Sequence, residues 1–171
     1  MSEKVILVNE QDNELGLMEK MEAHEKGLLH RAFSVFVLNH QNHLLLQQRA
    51  LHKYHSGGLW TNTCCSHPRK GETNEQAAHR RLMEEMGFDC ELQHVLEFTY
   101  KANLDQGMTE HEYDHVFVGR YNQNPKINPQ EAHAFAWRSL SDIKEDLRQK
   151  PQNYTEWFKI IFDRFTEHIK T

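Results

Sequence analysis

Residues 61–87 read TNTCCSHPRKGETNEQAAHRRLMEEMG, and this stretch decides the fold because it predicts a short strand that leads into a capped helix. Side chains alternate between the two faces of an extended segment. One face is therefore expected to carry Thr61, Thr63, Cys65 and His67, and the other Asn62, Cys64 and Ser66. The first face places a thiol beside a possible metal ligand.

The second half of the stretch has the signals of a helix. Thr73 and Gln76 have the spacing of a capping box, and Gly87 suits the position after the last helical turn. The apolar residues at helical spacing, which we expect to face the core, are Ala78, Leu82 and Met86. The charged residues four apart are Arg80 with Glu84 and Arg81 with Glu85. Taken alone, these charges are equally typical of a solvated helix face.

Length and composition narrow the class of protein. The 171 residues are enough for one domain with a real core, and we expect a single domain over residues 1–171. A net charge of −5 argues against a general nucleic-acid binder. No apolar run is long enough to span a bilayer, so we expect a cytoplasmic protein without a membrane partner. Two of the three cysteines are adjacent, which favours reduced thiols.

The first third of the chain predicts strands around one short helix. The expected elements are a strand over Val5–Val8, a helix from Leu17 to about His24, and a hairpin of two strands over Ala32–Leu38 and Leu44–Gln48. His24 and His30 then lie in a helix-to-strand connection. Both imidazoles can turn inward, or both can be exposed, since histidine is not a preferred core residue.

A basic segment follows the second strand of this hairpin. Arg49 and Lys53 precede Ser56, Gly57 and Gly58. Forked and point-like cations beside a glycine-rich loop are suited to binding phosphate. Two surface cations without a ligand are the alternative.

Acidic residues mark the start of a later strand. Residues 90–101 predict one strand, residues 103–107 a turn, and TEHEYDHVFVGRY the next strand. Alternation places Glu110, Glu112 and Asp114 on one face, and His111, Tyr113 and His115 on the other. Neighbouring carboxylates repel each other unless a cation or a proton lies between them. An exposed hairpin end would also explain them.

The C-terminal part predicts one more strand and two helices. We expect a strand over Ala134–Arg138, a helix capped by Ser141 that runs to about Gln149, and a final helix that begins at Thr155. The apolar stripe of the final helix is expected to contain Trp157, Ile160, Ile161, Phe165 and Ile169. Trp157 is most simply a core residue. The order of elements predicts an α/β or α+β fold with a mixed sheet.

At this point a resemblance to known proteins adds to the interpretation. The stretch HPRKGETNEQAAHRRLMEEMG resembles the Nudix box, and WTNTCCSHP, the later EHE and the distant pair His24 and His30 resemble the type I isopentenyl-diphosphate isomerases. The resemblance runs from about Lys20 to Trp157. It implies a Nudix-like mixed sheet sandwiched by helices, with additional helical elements at both ends.

Two departures from the hydrolase form of the box bear on activity. Ser66 stands at its opening glycine, and Arg81 replaces a glutamate, while Glu72, Glu84 and Glu85 remain. The resemblance implies that helix carboxylates hold divalent cations around a diphosphate. A cation at Arg81 removes one of those carboxylates, so we expect diphosphate binding without cleavage, with Arg81 contacting the diphosphate.

The resemblance also implies the metal ligands. They fall on His24, His30, His67, Glu110 and Glu112. Imidazoles with carboxylates suit Mn²⁺, Zn²⁺ or Fe²⁺ better than Mg²⁺. A second ion, Mg²⁺, is implied to join Glu85 to the diphosphate of the substrate.

The implied substrate is isopentenyl diphosphate, and the implied reaction moves its double bond by one carbon. A proton donor and an acceptor must then flank the alkene, and the resemblance assigns Cys65 and Glu112 to these places. We expect Glu112, hydrogen-bonded to Tyr100, to deliver the proton and Cys65, as a thiolate, to remove one, with the roles exchanged in reverse. Trp157 would shelter the cationic intermediate. The diphosphate would be held by Lys20, Arg49, Lys53 and Arg81.

Other functions fit parts of the same pattern. A Nudix hydrolase would release phosphate and have no role for Cys65. A non-catalytic diphosphate-binding module would bind ligand without turnover. A cysteine hydrolase fits less well, because the spacing of Cys65 and His67 favours a metal ligand over thiol activation. Both a monomer and a homodimer are compatible with the sequence.

Overall fold

A computed structural model describes residues 3–169 of the chain. The strands are β1 (Lys4–Val8), β2 (Glu14–Glu19), β3 (His30–Leu38), β4 (His43–Arg49), β5 (Trp60–Thr61), β6 (Cys64–Ser66), β7 (Leu92–Asn103), β8 (Thr109–Arg120) and β9 (Ala132–Ser139). The α-helices are α1 (Lys20–Lys26), α2 (Asn74–Met86), α3 (Leu140–Gln149) and α4 (Glu156–Ile169). A sheet combined with α-helices confirms the predicted α/β or α+β fold class.

Strand β3 is the centre of the sheet. It pairs in parallel with β8 along its whole length, and antiparallel with β1, β4 and β6 at separate points. Strand β4 continues to β5 and β9, and β7 pairs antiparallel with β8. A single parallel pair within an otherwise antiparallel sheet makes the sheet mixed, as the sequence predicts.

The two faces of the sheet pack against different helices. Phe33, Val35 and Val37 of β3 belong to the cluster that contains α2 residues. Phe36 and Leu38 belong to the cluster that contains α3 and α4 residues. These five residues are at most 3% exposed. Successive residues of β3 thus face two separate helical layers in turn, and both faces of the strand are buried. This is why the sequence of β3 is an almost continuous apolar run.

Helix α2 begins and ends where the sequence predicts. Thr73 accepts a hydrogen bond from the Gln76 backbone N–H, and the Gln76 side chain accepts one from the Thr73 N–H, which completes the capping box. Gly87 adopts a left-handed conformation with φ of 71°. The three residues predicted to face the core, Ala78, Leu82 and Met86, are all fully buried.

Three local predictions are wrong. Residues 17–19 belong to β2 rather than to the start of the predicted helix, because β2 pairs with β1 and places Leu17 opposite Ile6, and α1 begins at Lys20. Helix α3 is capped by Ser139, two residues before the predicted Ser141, because β9 runs directly into the helix. Ile169 is 39% exposed and lies outside the buried stripe of α4, which instead includes Phe158 and Phe162. Thr155 does open this helix, since its hydroxyl accepts the Phe158 N–H.

Within residues 3–169, no helix has the length and apolar character needed to cross a membrane.

Gly87 provides a test of this packing. A Cβ at Gly87 would lie 2.3 Å from the Lys126 carbonyl oxygen, whereas a Cβ at Gly71, which also has positive φ, would have no atom within 4 Å. We expect Gly87→Ala to lower the free energy of unfolding by about 1 to 3 kcal/mol more than Gly71→Ala, because only the first substitution adds a clash to backbone strain. Urea denaturation of both variants measures the difference, and equal losses would contradict the close approach.

Candidate active site

A cavity of about 820 Å³ opens at one end of the sheet. The residues predicted from the sequence that line it are Lys20, His24, Arg49, Lys53, Cys65, His67, Arg81, Glu85, Glu110, Glu112 and Trp157. The other two predicted residues, His30 and Tyr100, lie directly behind the wall and contact Glu112. The fold therefore brings together side chains that lie far apart in the sequence, from Lys20 to Trp157.

Three imidazoles and a carboxylate converge at the inner end of this cavity. Their ligand atoms, from His24 of α1, His30 of β3, His67 after β6 and Glu112 of β8, all lie within 4.8 Å of one another. The Glu112 Oε2 is 3.0 Å from the His67 Nε2 and 3.3 Å from the His30 Nε2. The Glu110 Oε2 is 3.3 Å from the His24 Nε2. This group has the composition of a metal site.

Backbone carbonyls orient two of the rings. The His24 Nδ1 is 2.7 Å from the Lys20 oxygen, and the His30 Nδ1 is 2.9 Å from the Leu28 oxygen. When each Nδ1–H donates to its carbonyl, each Nε2 presents a lone pair to the centre. The buried His30 Nε2 and Glu110 Oε2 have no hydrogen-bond partner among the described residues. A divalent cation would satisfy both atoms, so these residues fit a metal.

The carboxyl groups of β8 have strongly different proton affinities. Burial and the neighbouring Glu112 charge raise the pKa of Glu110. Burial opposes ionisation of Glu112 as well, but the adjoining Glu110, His30 and Tyr100 side chains lower its pKa to about 2. Burial and the Glu112 charge also raise the pKa of Asp114, whose carboxyl accepts from the Ser34 hydroxyl. Of these three carboxyl groups, Glu112 is therefore the one whose ionised form is favoured.

Cys65 lies on β6, which pairs with β3 along the edge opposite to β8. It pairs with Ser34, faces the cavity and packs at the edge of the cluster that contains α4. Cys64 is fully buried in the opposite cluster beside α2, so the predicted alternation of the two cysteines is confirmed. Burial, followed by the nearby Glu85 charge, raises the pKa of the Cys65 thiol. Burial therefore favours the protonated thiol, whereas a thiolate is expected from the sequence.

Two aromatic residues complete the inner wall. The Tyr100 hydroxyl donates to the Glu112 Oε1 over 2.5 Å. Burial and the Glu112 charge raise the pKa of Tyr100, which keeps this donor protonated. Trp157 is 2% exposed, and the Arg49 guanidinium lies 5.1 Å from its ring centroid. Trp157 is thus both a core residue and part of the cavity wall, as both sequence interpretations required.

The predicted diphosphate-binding cations form the outer part of the cavity. Lys20 is 2.7 Å from Glu3 and Lys53 is 2.5 Å from Glu131. The Arg81 guanidinium contacts Glu84 at 2.7 Å, Glu85 at 2.8 Å and Glu131 at 3.2 Å. Lys20, Lys53 and Arg81 are therefore held in defined positions by carboxylates, most of which also line the cavity.

Sequence reasoning missed four residues of the site. Gln47 donates to Glu85 over 3.0 Å, and Glu131 joins Lys53 to Arg81. Tyr54 and His55 also line the cavity, and His55 forms a second group of possible ligands with His24 and Glu110. A polar residue within the apolar run LLLQ was a usable signal for Gln47. The other three lie in loops or at a strand boundary, where periodicity gives no direction.

Comparisons with known proteins agree with this geometry. A family model described as "NUDIX domain" matches residues 28–158. The chain is 49% identical over 96% of its length to "Isopentenyl-diphosphate Delta-isomerase 2" of Aromatoleum aromaticum, covering 87% of that protein. It is 51% identical over 95% of its length to a protein of the same name from Photorhabdus laumondii, covering 92% of that protein.

Solved structures share the fold. A Deinococcus radiodurans protein, DR0079, superposes with a TM-score of 0.80 at 18% identity, over 95% of this chain and 98% of that one. The MutT protein from Methanosarcina mazei Go1 superposes with a TM-score of 0.68 at 18% identity, over 84% of this chain and 96% of that one. At this level of identity the comparison concerns the fold alone, and it confirms the predicted Nudix-like architecture.

The imidazole cluster makes a prediction about metal binding. Because three Nε2 atoms converge on Glu112, we expect Mn²⁺ to raise the midpoint of thermal unfolding of the wild-type protein. His67→Gln should weaken Mn²⁺ binding at least ~10-fold, since even residues that only orient metal ligands contribute 10- to 100-fold. Calorimetric titration measures the affinity. His133→Gln, at an exposed position on β9, is the control, and equal affinities for the two variants would contradict the assignment.

Proposed function

This chain belongs to the NUDIX superfamily and, within it, to the isopentenyl-diphosphate Delta-isomerases, and from that premise we propose that it interconverts isopentenyl diphosphate and dimethylallyl diphosphate. One observation carries the proposal: the Cys65 thiol and the Glu112 carboxyl group line the same cavity below a group of cations. These are the groups that an allylic proton shift needs. Hydrolysis of a diphosphate needs neither the thiol nor the buried carboxyl group.

The metal is proposed to lie among His24, His30, His67, Glu110 and Glu112. Three nitrogen donors favour Mn²⁺ or Zn²⁺ over Mg²⁺. When bound, this ion would neutralise the buried carboxylates and fix their orientation. We assign Mg²⁺, which prefers oxygen ligands, to the substrate diphosphate and Glu85.

The cations at the outer part of the cavity bind the diphosphate in this proposal. Arg49 and Arg81 provide forked donor sets, and Lys20 and Lys53 provide point charges. Anchoring the charged group leaves the five-carbon chain to extend inward toward Cys65 and Glu112. Binding energy from the diphosphate thereby orients a hydrocarbon that has no polar groups of its own.

The resting protonation states determine the proposed direction of proton movement. In this proposal Cys65 begins as a thiol and Glu112 as a carboxylate, the forms that the directions of their pKa shifts favour. We therefore assign the Cys65 Sγ–H as the donor to the terminal methylene carbon, which leaves a tertiary cation. The Glu112 carboxylate then removes a proton from the neighbouring CH₂, and a new double bond forms there. This assignment reverses the one expected from the sequence, and the reverse reaction returns both protons.

Tyr100 and Trp157 support the charged groups without exchanging protons with the substrate. The Tyr100 hydroxyl donates to the Glu112 Oε1, so it holds the carboxylate in one orientation. Trp157 offers an aromatic face to the positive charge, an interaction of about 0.5 to 2 kcal/mol. Its ring already lies near the Arg49 guanidinium, so the same residue contacts both ends of the proposed substrate site.

The pairing of Arg81 supports isomerisation over hydrolysis. Its guanidinium contacts Glu84 and Glu85 of the same helix. A fixed cation between these carboxylates lowers the negative charge that helix α2 can offer to several metal ions. Binding of a diphosphate is favoured by the same cation.

Isotope exchange tests the reaction. In deuterated water with Mg²⁺ and Mn²⁺, we expect isopentenyl diphosphate to be converted to dimethylallyl diphosphate that carries deuterium, observed by NMR. Cys65→Ala and Glu112→Gln should each reduce turnover at least ~10²-fold, the lower limit for a general acid or base. Cys64→Ala is the control, because Cys64 faces the α2 side of the sheet. Release of inorganic phosphate, or equal losses at the two cysteines, would refute the proposal.

Trp157 gives a second test. We expect Trp157→Leu to reduce kcat about 2- to 30-fold, which corresponds to an aromatic–cation interaction of about 0.5 to 2 kcal/mol. Trp157→Phe removes similar volume but keeps an aromatic face, so it should retain more activity. Steady-state kinetics on samples shown to be folded by circular dichroism make the comparison. Equal kcat values for the two variants would mean that Trp157 acts through packing alone.

A further inference from the structure

We propose that the protein carries a second divalent-metal site, formed by His94 and Glu97 of β7 and His115 of β8, on the face of the sheet opposite the catalytic carboxylates. Three ligand atoms from these residues lie within 4.8 Å of one another. His115 projects from the face of β8 that also carries Phe117, which packs in the cluster beside α2. Glu112 projects from the other face. The two sites therefore share a strand without sharing a ligand.

A β-bulge in β7 creates this cluster. Residues 94 and 97 are three apart, so in a regular strand their side chains would point to opposite faces. The register between β7 and β8 shifts between His94 and Leu96, where an extra residue is inserted. This insertion turns both His94 and Glu97 toward His115, and Glu97 pairs directly with it. Bulges of this kind re-aim side chains.

The distances between the ligand atoms are close to those in a metal site, so only small side-chain movements would be needed to bind an ion. The His94 Nε2 is 3.1 Å from the His115 Nδ1 and 3.8 Å from the Glu97 Oε1. Two nitrogen ligands at 2.0 to 2.1 Å from a tetrahedral Zn²⁺ are separated by about 3.3 Å. In the absence of an ion, a hydrogen bond between the two rings occupies the same space.

Two of the three ligands, His115 and Glu97, are each oriented by a hydrogen bond to another residue. The His115 Nε2 donates to the Asp12 Oδ2 over 2.9 Å, so the His115 Nδ1 is left with its lone pair directed at the His94 side chain. The Arg31 Nε donates to the other Asp12 oxygen over 2.8 Å. The Tyr113 hydroxyl donates to the Glu97 Oε2 over 2.7 Å, which leaves Oε1 for a ligand. A carboxylate–histidine pair behind the ligand is a recurring arrangement of metal sites.

The ligand types define the class of ion. Two imidazoles and one carboxylate suit Zn²⁺, whereas Mg²⁺ and Ca²⁺ prefer oxygen ligands. The His115 side chain is 8% exposed, while those of His94 and Glu97 are 40% and 42% exposed. The site is therefore anchored on its inner side and open to water on its outer side, which leaves a fourth position for a water molecule.

Such a site would connect separate parts of the chain. Strands β7 and β8 would be joined directly by the ion. Asp12 lies in the turn between β1 and β2, so its contact with His115 extends the connection to the N-terminal hairpin. The expected consequence is higher stability of this side of the sheet when Zn²⁺ is bound.

Zinc stoichiometry tests the proposal. Equilibrium dialysis of the purified protein against Zn²⁺ should give one more bound ion per chain for the wild type than for His94→Ala or Glu97→Gln. Both substitutions are at exposed positions, so folding is expected to persist. His133→Ala, an exposed histidine on β9, should bind as many ions as the wild type. The turnover of isopentenyl diphosphate by His94→Ala should equal that of the wild type, because His94 lies on the face of the sheet opposite Glu112.

Crystals grown with Zn²⁺ locate the ion directly. We expect an anomalous peak about 2.0 to 2.2 Å from the His94 Nε2, the His115 Nδ1 and a Glu97 carboxylate oxygen. Equal stoichiometry for the wild type and His94→Ala would overturn the proposal. So would a peak at the catalytic cluster alone, or binding at this position only with Zn²⁺ in large molar excess over the protein.

Discussion

The parallel register between β3 and β8 is the constraint on which the rest of the site depends. It sets His30 directly opposite Glu112. On the other side of β3, the antiparallel register with β6 sets Ser34 opposite Cys65. Because side chains alternate with a period of two, a slip of one residue in either pairing would turn the carboxylate or the thiol to the α2 face. The buried, alternating side chains of β3 prevent such a slip, since both of its faces are packed against helices.

This register confines three carboxyl groups to one face of β8, and the structure tolerates them by distributing protons unevenly. The pKa values of Glu110 and Asp114 are raised, while that of Glu112 between them is lowered. Ionisation is thus favoured at Glu112 and opposed at Glu110 and Asp114, in a region where several charges would be costly to bury. The member with the lowered pKa, Glu112, is the one that contacts both His30 and His67. Its position beside both imidazoles agrees with the roles of proton acceptor and metal ligand that are proposed for Glu112.

The sequence predicted this site well where local rules apply and poorly where only tertiary structure decides. The capping box at Thr73 and the alternation of Cys64 and Cys65 follow from backbone geometry, so both were found. The positions of Tyr54 and Glu131 in the cavity wall depend on how connecting segments fold over the sheet, which no periodicity encodes. The bulge that turns His94 toward His115 was missed for a related reason, because an inserted residue in a strand has no distinct composition.

The same contacts indicate how the cavity is prepared for an anionic ligand. Lys20, Lys53 and Arg81 each already contact a carboxylate, so a diphosphate must exchange with groups such as Glu131 rather than order free side chains. Arg49 differs, because within residues 3–169 it has no carboxylate partner and its Nε has no hydrogen-bond acceptor. Its guanidinium is instead held by the Trp157 ring and the His55 carbonyl. A preoriented cation without a competing anion costs least to engage, so in the proposed complex Arg49 is the cation that a diphosphate engages at the lowest cost, beside the Trp157 ring.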